Sequence, residues 1–419
     1  MEASSSTSKS KNSQRDAAAL SRRAEHVVPE GELARRLVEG RPLRVKFGVD
    51  PTARDITLGW AVPLRKLRAF QDHGHTAVLI VGDFTARIGD PSGRSETRPQ
   101  LSIEVVRANA EACVAQLLQI LASDNLEVRY NSEWLEPLDV GGILRLTSHY
   151  TVAQMLERDD FSKRFAGGHP ISITEFLYPL LQGYDSVAVK ADIELGGTDQ
   201  LFNFLVARDL QRAFGQLPQI AMTMPLLVGL DGTNKMSQSL GNYVGIREAP
   251  EEIFGKLMSL PDSLVAAYAG LAADLDDDRV TELEAAAAQG GPPAGQAKRT
   301  MAGAVVALYH GAEAARRAET AFDRQFVRRE APEDISEMQV PAQSIRDGRV
   351  HLPGALVALG LASSRSDARR LIRGGGVRLD GRSVTDEEVE ASLMIGSTLQ
   401  VGKRRFVRIS SAESLRPFD

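Results

Sequence analysis

A parallel α/β domain followed by a helical region and a small α+β module is the fold this sequence predicts. Three observations carry it. Residues 43–98 read as strand, glycine-containing loop, amphipathic helix and buried strand, the pattern of a nucleotide-binding βαβ unit. From about residue 249 to 327 the composition shifts to Ala, Leu and charge, with no strand signal. Beyond Arg346, two short helical patterns lead through Gly374-Gly375-Gly376 to a hairpin turning at Asp380-Gly381.

Taken in order, residues 1–25 are polar and rich in Ser, Lys and Ala, without a hydrophobic signal-peptide centre, and are expected to be a disordered tail. The α/β domain then spans 26–245. Its first strand alternates over residues 43–50 and a turn, Pro51 to Thr57, leads to a helix over 58–71. A buried strand over 76–81 runs into the loop Gly82-Asp83-Phe84-Thr85, continuing through Gly89-Asp90-Pro91-Ser92-Gly93-Arg94. Helical periodicity follows at 102–121 and a strand at 126–130, then helical sequence over 133–157 with a turn near Ser148. Residues 173–186 are apolar at helical spacing, with Tyr178, Gln182 and Asp185 interleaved. A strand ends in Gly196-Gly197-Thr198-Asp199-Gln200, and a helix over 200–214 leads to an apolar strand at 219–228. Such alternation predicts a parallel sheet with ligands at its carboxyl edge, where helix N-termini offer free N–H groups to phosphate. No G-x-G-x-x-G follows the first strand, so a dinucleotide fingerprint is not supported. The helical region covers 246–328, broken near Gly290 to Gly295 by Pro292 and Pro293. Residues 329–345 read as a linker and 346–419 as the last module.

Composition narrows the function. At 419 residues the chain has room for two or three domains. A net charge of −5 gives no global sign of nucleic acid, so any RNA contact requires a local basic patch. From Arg346 to Ser410 stand 12 Lys and Arg against 7 Asp and Glu, and Arg365, Arg369 and Arg373 recur every four residues as a basic stripe. Ser364-Arg365-Ser366-Asp367 at the head of that helix has the form of a capping box, with Asp in the usual Glu place. The single cysteine, Cys113, excludes an internal disulfide and points to a reducing, cytoplasmic setting. Seven scattered histidines lack metal-ligand spacing, so no protein-bound metal is expected, and no apolar run reaches membrane-spanning length.

The motifs Gly48-Val49-Asp50-Pro51-Thr52 with Leu58-Gly59, and Val81 to Arg94, resemble the catalytic core of the tyrosyl-tRNA synthetases, a class I branch. The likeness runs from about His26 onward. It implies a Rossmann-like class I synthetase domain that uses ATP, with Mg2+, to activate tyrosine and load tRNA, and a homodimer. It also implies roles. Asp90, Tyr178 and Gln182 correspond to groups holding the substrate ammonium, Asp185 to the phenol acceptor, and Gln200 lies beside the carboxyl. Lys46 stands where many members have a tyrosine facing the phenol. Gly48, Asp50, Gly59, Gly197 and Asp199 correspond to the nucleotide surface, and Thr52, Lys235, Arg94 and Arg98 to the catalytic polar and phosphate-charge groups. Lys235-Met236-Ser237-Gln238-Ser239 matches the second class I signature, Lys-Met-Ser-Lys-Ser.

Three positions depart from the pattern. Thr57 and Trp60 replace both histidines of His-Ile-Gly-His, and Gln238 replaces the second lysine. Each replacement offers a neutral donor, and one donor to developing charge is worth roughly 3–4 kcal/mol. The last module resembles the small RNA-binding fold first known from ribosomal protein S-four. The readings left open are a tyrosine–tRNA ligase that activates slowly, a catalytically weakened paralogue that binds tRNA or an amino acid, and an aminoacyl supplier for specialised metabolism.

Overall fold

The computed structural model describes residues 2–51, 55–91, 102–327, 336–402 and 405–412, without the side chains of residues 2–10, 103, 327 and 412. They form two compact units, Met1–Ala312 and Glu313–Asp419.

A six-stranded sheet organises the first unit: β1 (His26–Val28), β2 (Arg44–Val49), β3 (Thr76–Val81), β4 (Leu126–Tyr130), β5 (Ile193–Gly197) and β6 (Ile220–Met224). Their spatial order is β1-β6-β5-β2-β3-β4. All neighbours run parallel except β1, which pairs antiparallel to β6 with His26 opposite Thr223. The sheet is therefore not wholly parallel. Three residues at an edge are too few to show a period, which is why β1 escapes a sequence reading. Strands β3 and β6 are buried along nearly their whole length, as both faces of a central α/β sheet require. From β2 the chain proceeds to β3 on one side, while β5 pairs with β2 on the other. That reversal is the topological switch point, and the crevice at the carboxyl ends of β2 and β5 is where such sheets bind ligands.

The helices of this unit are α1 (Glu2–Ser21), α2 (Glu32–Val38), α3 (Leu58–Asp72), α4 (Ile103–Leu117), α5 (Ser132–Leu135), α6 (Val140–Thr147), α7 (Val152–Met155), α8 (Asp159–Ala166), α9 (Ile173–Val189) and α10 (Leu201–Ala213). Helix α9 starts on a capping box between Ser172 and Glu175 and ends where Lys190 turns left-handed. Helix α1 corrects the expectation of a disordered tail. Its Ala-rich last turns favour helix, and Leu20 is fully buried there. Beyond it, Arg23 donates to the carbonyls of Gly270 and Leu275 and, at 2.6 Å, to Asp277.

The helical region comprises α11 (Pro250–Met258), α12 (Val265–Ala267), α13 (Asp277–Ala288) and α14 (Gly291–His310). It belongs to the same compact unit as the sheet, so residue 246 is not a boundary between units. The expected break at 290–295 shrinks to a turn at Gly290, because Pro292 and Pro293 fit the first turn of α14.

In the second unit, α15 (Ala312–Phe322) precedes β7 (Glu337–Val340), β8 (Ile345–Arg346), β9 (Arg349–His351), α16 (Leu352–Ala358), α17 (Arg365–Arg373), β10 (Val377–Leu379), β11 (Arg382–Ser383), β12 (Glu388–Glu390), α18 (Ala391–Met394), β13 (Thr398–Val401) and β14 (Arg405–Ala412). The β10–β11 hairpin turns at Asp380-Gly381, both at positive φ, as expected. The expected linker is partly a strand: β7 pairs parallel with β14, while residues 328–335 lie outside the described residues. Two prolines and several acids point away from a strand, yet Met338 packs on the module's core and Val340 is buried in it.

Candidate active site

The period of two along β2 puts Lys46, Gly48 and Asp50 on one side of the strand end. Each has a different job. Asp50 accepts a 2.9 Å hydrogen bond from the Tyr178 hydroxyl through Oδ2 and a 2.7 Å bond from Thr85 Oγ1 through Oδ1. It thereby ties β2 to α9 and to the loop after β3. Burial, and next the Asp50 charge, push the Tyr178 phenol well above its ordinary range, so it stays a donor. The loop can come this close because residue 82 is glycine. A Cβ there would collide with Asp50 Oδ1 and Thr85 Oγ1. Gly48 is exposed, and a Cβ on it would meet nothing within 4 Å, so the strand face between Lys46 and Asp50 opens onto free space.

Lys46 is fully buried. Its ammonium donates to the Gln182 carbonyl at 2.9 Å, Ser186 Oγ at 2.8 Å and Glu194 Oε1 at 2.8 Å. Its three protons are thus taken, and the residue stands behind the pocket wall.

Along α9, Gln182 accepts from Asn203 Nδ2 at 2.8 Å and donates to Glu194 at 3.3 Å. Asp185 is buried and accepts from Trp134 Nε1 at 2.8 Å and from Asn131 Nδ2 at 3.4 Å. Burial pushes its carboxyl up to about 6, against the opposing pull of Lys46 and these two donors. Asn131 also donates to Thr85 Oγ1 at 3.0 Å, linking the Asp185 end of the site to the Asp50 end. Asp90 accepts from Gln200 Nε2 at 2.7 Å and faces Arg158 Nη2 at 3.5 Å, and Arg158 also donates to Asn203. The structure therefore brings Lys46, Asp50, Asp90, Tyr178, Gln182, Asp185 and Gln200 into one hydrogen-bonded wall.

Where the sequence resemblance places the nucleotide, the expected groups are present but engaged with protein partners. Lys235 bonds Asp199 at 2.8 Å. A Cβ at Gly197 would meet the side-chain ends of Leu226 and Asp199 at 2.6 and 2.7 Å, so a larger residue here would displace both. Thr57 is buried and caps α3, its Oγ1 accepting from the Trp60 N–H at 3.4 Å. Trp60 turns its ring edge-on to Phe47, with centroids 6.5 Å apart. Gln238 Nε2 donates to the Asp55 carbonyl, and Met236 lies over Gly59, whose N–H points at its sulfur at 3.3 Å. The N–H of Leu58 bonds the Val244 carbonyl. The first N–H groups of α3, expected to be free for phosphate, are thus internally satisfied in this structure. Thr52, Arg94 and Arg98 lie outside the described residues.

Sequence reasoning missed Thr85, Asn131, Trp134, Arg158, Ser186, Glu194, Asn203 and Gln219. Glu194 gave the nearest signal, a charge in a strand that turns out to lie beside β2 in the middle of the sheet. In the second unit, Ser364 caps α17 by accepting from the Asp367 N–H at 3.1 Å, while Asp367 reaches back to Ser363 rather than to Ser364 itself. The arginine stripe is there, but Arg369 and Arg373 both bond Glu387, at 2.9 and 3.4 Å, while Arg365 is exposed.

Residues 38–327 match the model of the tRNA synthetases class I (W and Y), and residues 352–393 that of the S4 domain. The chain belongs to the class I tRNA synthetases of the W and Y family. It is similar to tyrosine–tRNA ligases of Moorella thermoacetica, 49% identical over 93% of this chain and 94% of that protein, and Geobacter sulfurreducens, 49% identical over 94% and 98%. Its fold is also that of a C-terminally truncated mitochondrial tyrosyl-tRNA synthetase from Aspergillus nidulans, with TM-score 0.62 and 21% identity over 78% of this chain and 100% of that one. Membership in the family accounts for a crevice at the β2/β5 switch point with polar groups converging from α9 and the β3 loop.

The close approach at residue 82 gives a test. Gly82→Ala is expected to lower unfolding stability by about 1–3 kcal/mol through forced displacement of Asp50 and Thr85, measured by urea denaturation. An unchanged midpoint would mean that the two side chains can part without loss.

Proposed function

We propose that this chain is a tyrosine–tRNA ligase that activates tyrosine with ATP and transfers it to tRNA. The observation that carries the reading is Asp185, a buried carboxylate fixed by Trp134 and Asn131 on the same wall as Asp90, Tyr178 and Gln182. Such a carboxylate discriminates: a phenol adds a hydrogen bond to those from Trp134 and Asn131, whereas a phenyl ring keeps water from its remaining lone pairs and returns nothing. That a tyrosyl enzyme rejects phenylalanine strongly is a standard example of this principle. Asp90 supplies the charge for the substrate ammonium, with Tyr178 and Gln182 beside it, and Gln200 lies next to the carboxyl.

In the first step a carboxylate oxygen of tyrosine attacks the α-phosphorus in line and pyrophosphate leaves with the bridging electrons. In the second, a hydroxyl at the tRNA end attacks the adenylate carbonyl and AMP leaves. Neither step needs a protein nucleophile; both need positioning and stabilisation of charge on phosphate oxygens. Asp50, Gly197 and Asp199 line the nucleotide side, and Lys235 exchanges its bond with Asp199 for the pyrophosphate. Thr52, Arg94 and Arg98 are further candidates for that charge. Magnesium enters on the triphosphate of ATP, its ligands supplied by phosphate; among the described residues no group of three or more His, Cys, Asp or Glu could hold a metal. Because Thr57 caps its own helix and Gln238 is neutral, activation is slow for this family.

Exposed Val140, Leu144, Val152, Phe165 and Ile173, clustered in sequence along α6 to α9, support a homodimer seam. Burial pushes the Cys113 thiol up to about 12, which supports a structural cysteine in a cytoplasmic protein. Among the described residues no helix is long and apolar enough to cross a membrane.

Tyrosine-dependent ATP–pyrophosphate exchange by the purified protein tests the reading. Exchange is expected with tyrosine and about 10⁴-fold less with phenylalanine. Since Asp185 must be charged to accept the phenol and its carboxyl ionises at about 6, the tyrosine requirement should rise as pH falls through about 6 and be flat above 7. Exchange that ignores the amino acid would dismiss the assignment.

The stripe of the second unit gives a further test. Removing residues 346–419 should weaken tRNA binding and flatten its salt dependence by about one unit of slope for each phosphate no longer neutralised. Identical titrations for both lengths at several salt concentrations would leave Arg365, Arg369 and Arg373 a solvated face.

A further inference from the structure

Behind the amino-acid pocket lies a buried cluster that the reaction as described does not use. Lys46 and Glu194 are 0% and 1% exposed and form an ion pair at 2.8 Å. Glu194 also accepts from Gln182 Nε2 at 3.3 Å, Ser186 Oγ at 3.0 Å and Gln219 Nε2. A buried ion pair is expensive, and a well-packed neutral pair in its place is often as stable or more so. Stability therefore does not explain it.

We propose that Lys46 is a positioning residue that sets the preference for tyrosine over phenylalanine, acting through the α9 turn that carries Gln182 and Asp185 rather than by touching the substrate. The inference rests on the tyrosine reading above. Two observations support it. Lys46 holds the Gln182 carbonyl and Ser186 hydroxyl, so its ammonium clasps the residues on both sides of Asp185 along one turn. Its three protons are used there, leaving none for a phenol. The second is electrostatic. Among the described residues, the charges acting most strongly on Asp185 are Lys46, which favours the carboxylate, and Glu194, which opposes it more weakly; Trp134 and Asn131 add neutral donors. Of the remaining acids, Asp50 and Asp90 reach the site through Tyr178 and Gln200. Lys46 is thus the cation that offsets burial and leaves a charged acceptor for the phenol at neutral pH.

The test is calorimetric titration of tyrosine and phenylalanine, without ATP, across pH 5–8, on the parent, the Lys46→Met/Glu194→Gln double variant and Ser186→Ala. The double variant removes both charges of the pair together, so neither Lys46 nor Glu194 is left as a lone buried ion. It is expected to lose about twofold in tyrosine-over-phenylalanine preference at pH 7 and about fivefold at pH 6, as the charged fraction of the acceptor falls. The midpoint of that preference should move up by about one pH unit, because the larger of the two opposing charges is gone. Ser186→Ala should shift both in the same direction by less. A merely structural role would lower the unfolding midpoint and leave the ratio and its pH dependence as in the parent, and that result overturns the proposal. If the double variant fails to fold, Ser186→Ala decides: no shift in its midpoint overturns the proposal. A parent that binds both amino acids equally would instead sink the tyrosine reading, and the inference with it.

Discussion

Strand β2 is pinned to helix α9 at two points four residues apart. At one, the Lys46 ammonium grips the Gln182 carbonyl and Ser186; at the other, Asp50 receives the Tyr178 hydroxyl. Between the pins Gly48 contributes no side chain, so the strand and helix are held together around an opening rather than around packed atoms. The rest of the site depends on this arrangement. The turn that bears Asp185 is fixed from behind by the Lys46 ammonium. Asp90, Gln200, Asn203 and Arg158 close one end through bonds to one another. A polar wall with its hydrogen bonds already made resists rearrangement, and preorganisation of that kind is what lets a site distinguish ligands that differ by one hydroxyl.

The two sides of the crevice are built differently. On the side of Asp185 and Tyr178 each polar group is braced by another protein group. Around Lys235, Gln238 and Thr57 the polar groups are spent on protein partners: Lys235 on Asp199, Gln238 on the Asp55 carbonyl, Thr57 on its own helix. Thr57 shows why a histidine position can change without unfolding the protein, since threonine is among the better N-caps and stabilises the helix it heads by about 1 kcal/mol. A phosphate held here, as the proposed function requires, would have to displace these internal contacts, and neutral donors return less for that exchange than cations.

Much of this was legible in the sequence, for physical reasons that can be traced. The βαβ unit announced itself through alternation at residues 44–49 and a fully apolar run at 77–81, because a central sheet leaves no choice of residue type. Tyr178, Gln182 and Asp185 stood out as polar groups in an otherwise apolar helix. The partners that fix them did not. Asn131 and Trp134 come from a four-residue helix and its cap, distant in sequence, and Asn203 and Arg158 read individually as ordinary surface residues. Their role exists only once the chain has folded. Lys46 is the instructive case: correspondence with a phenol-facing position suggests a ligand, whereas burial beside Glu194 turns the charge inward. The N-terminal helix and β7 escape a sequence reading because weak or mixed local propensity is overruled by packing, through Leu20 in one and Val340 in the other.

That Thr57, Trp60 and Gln238 govern the rate of activation without setting tyrosine affinity is the central claim, and single-turnover formation of tyrosyl-adenylate at saturating ATP tests it most directly. The comparison is between the parent and Thr57→His/Trp60→His/Gln238→Lys, with tyrosine varied in each. The account predicts that restoring the charged donors raises the limiting rate by roughly 10²-fold or more while the tyrosine concentration giving half the limiting rate stays the same. A parent already fast and unimproved, or a tyrosine requirement that moves with the nucleotide-side changes, would contradict it.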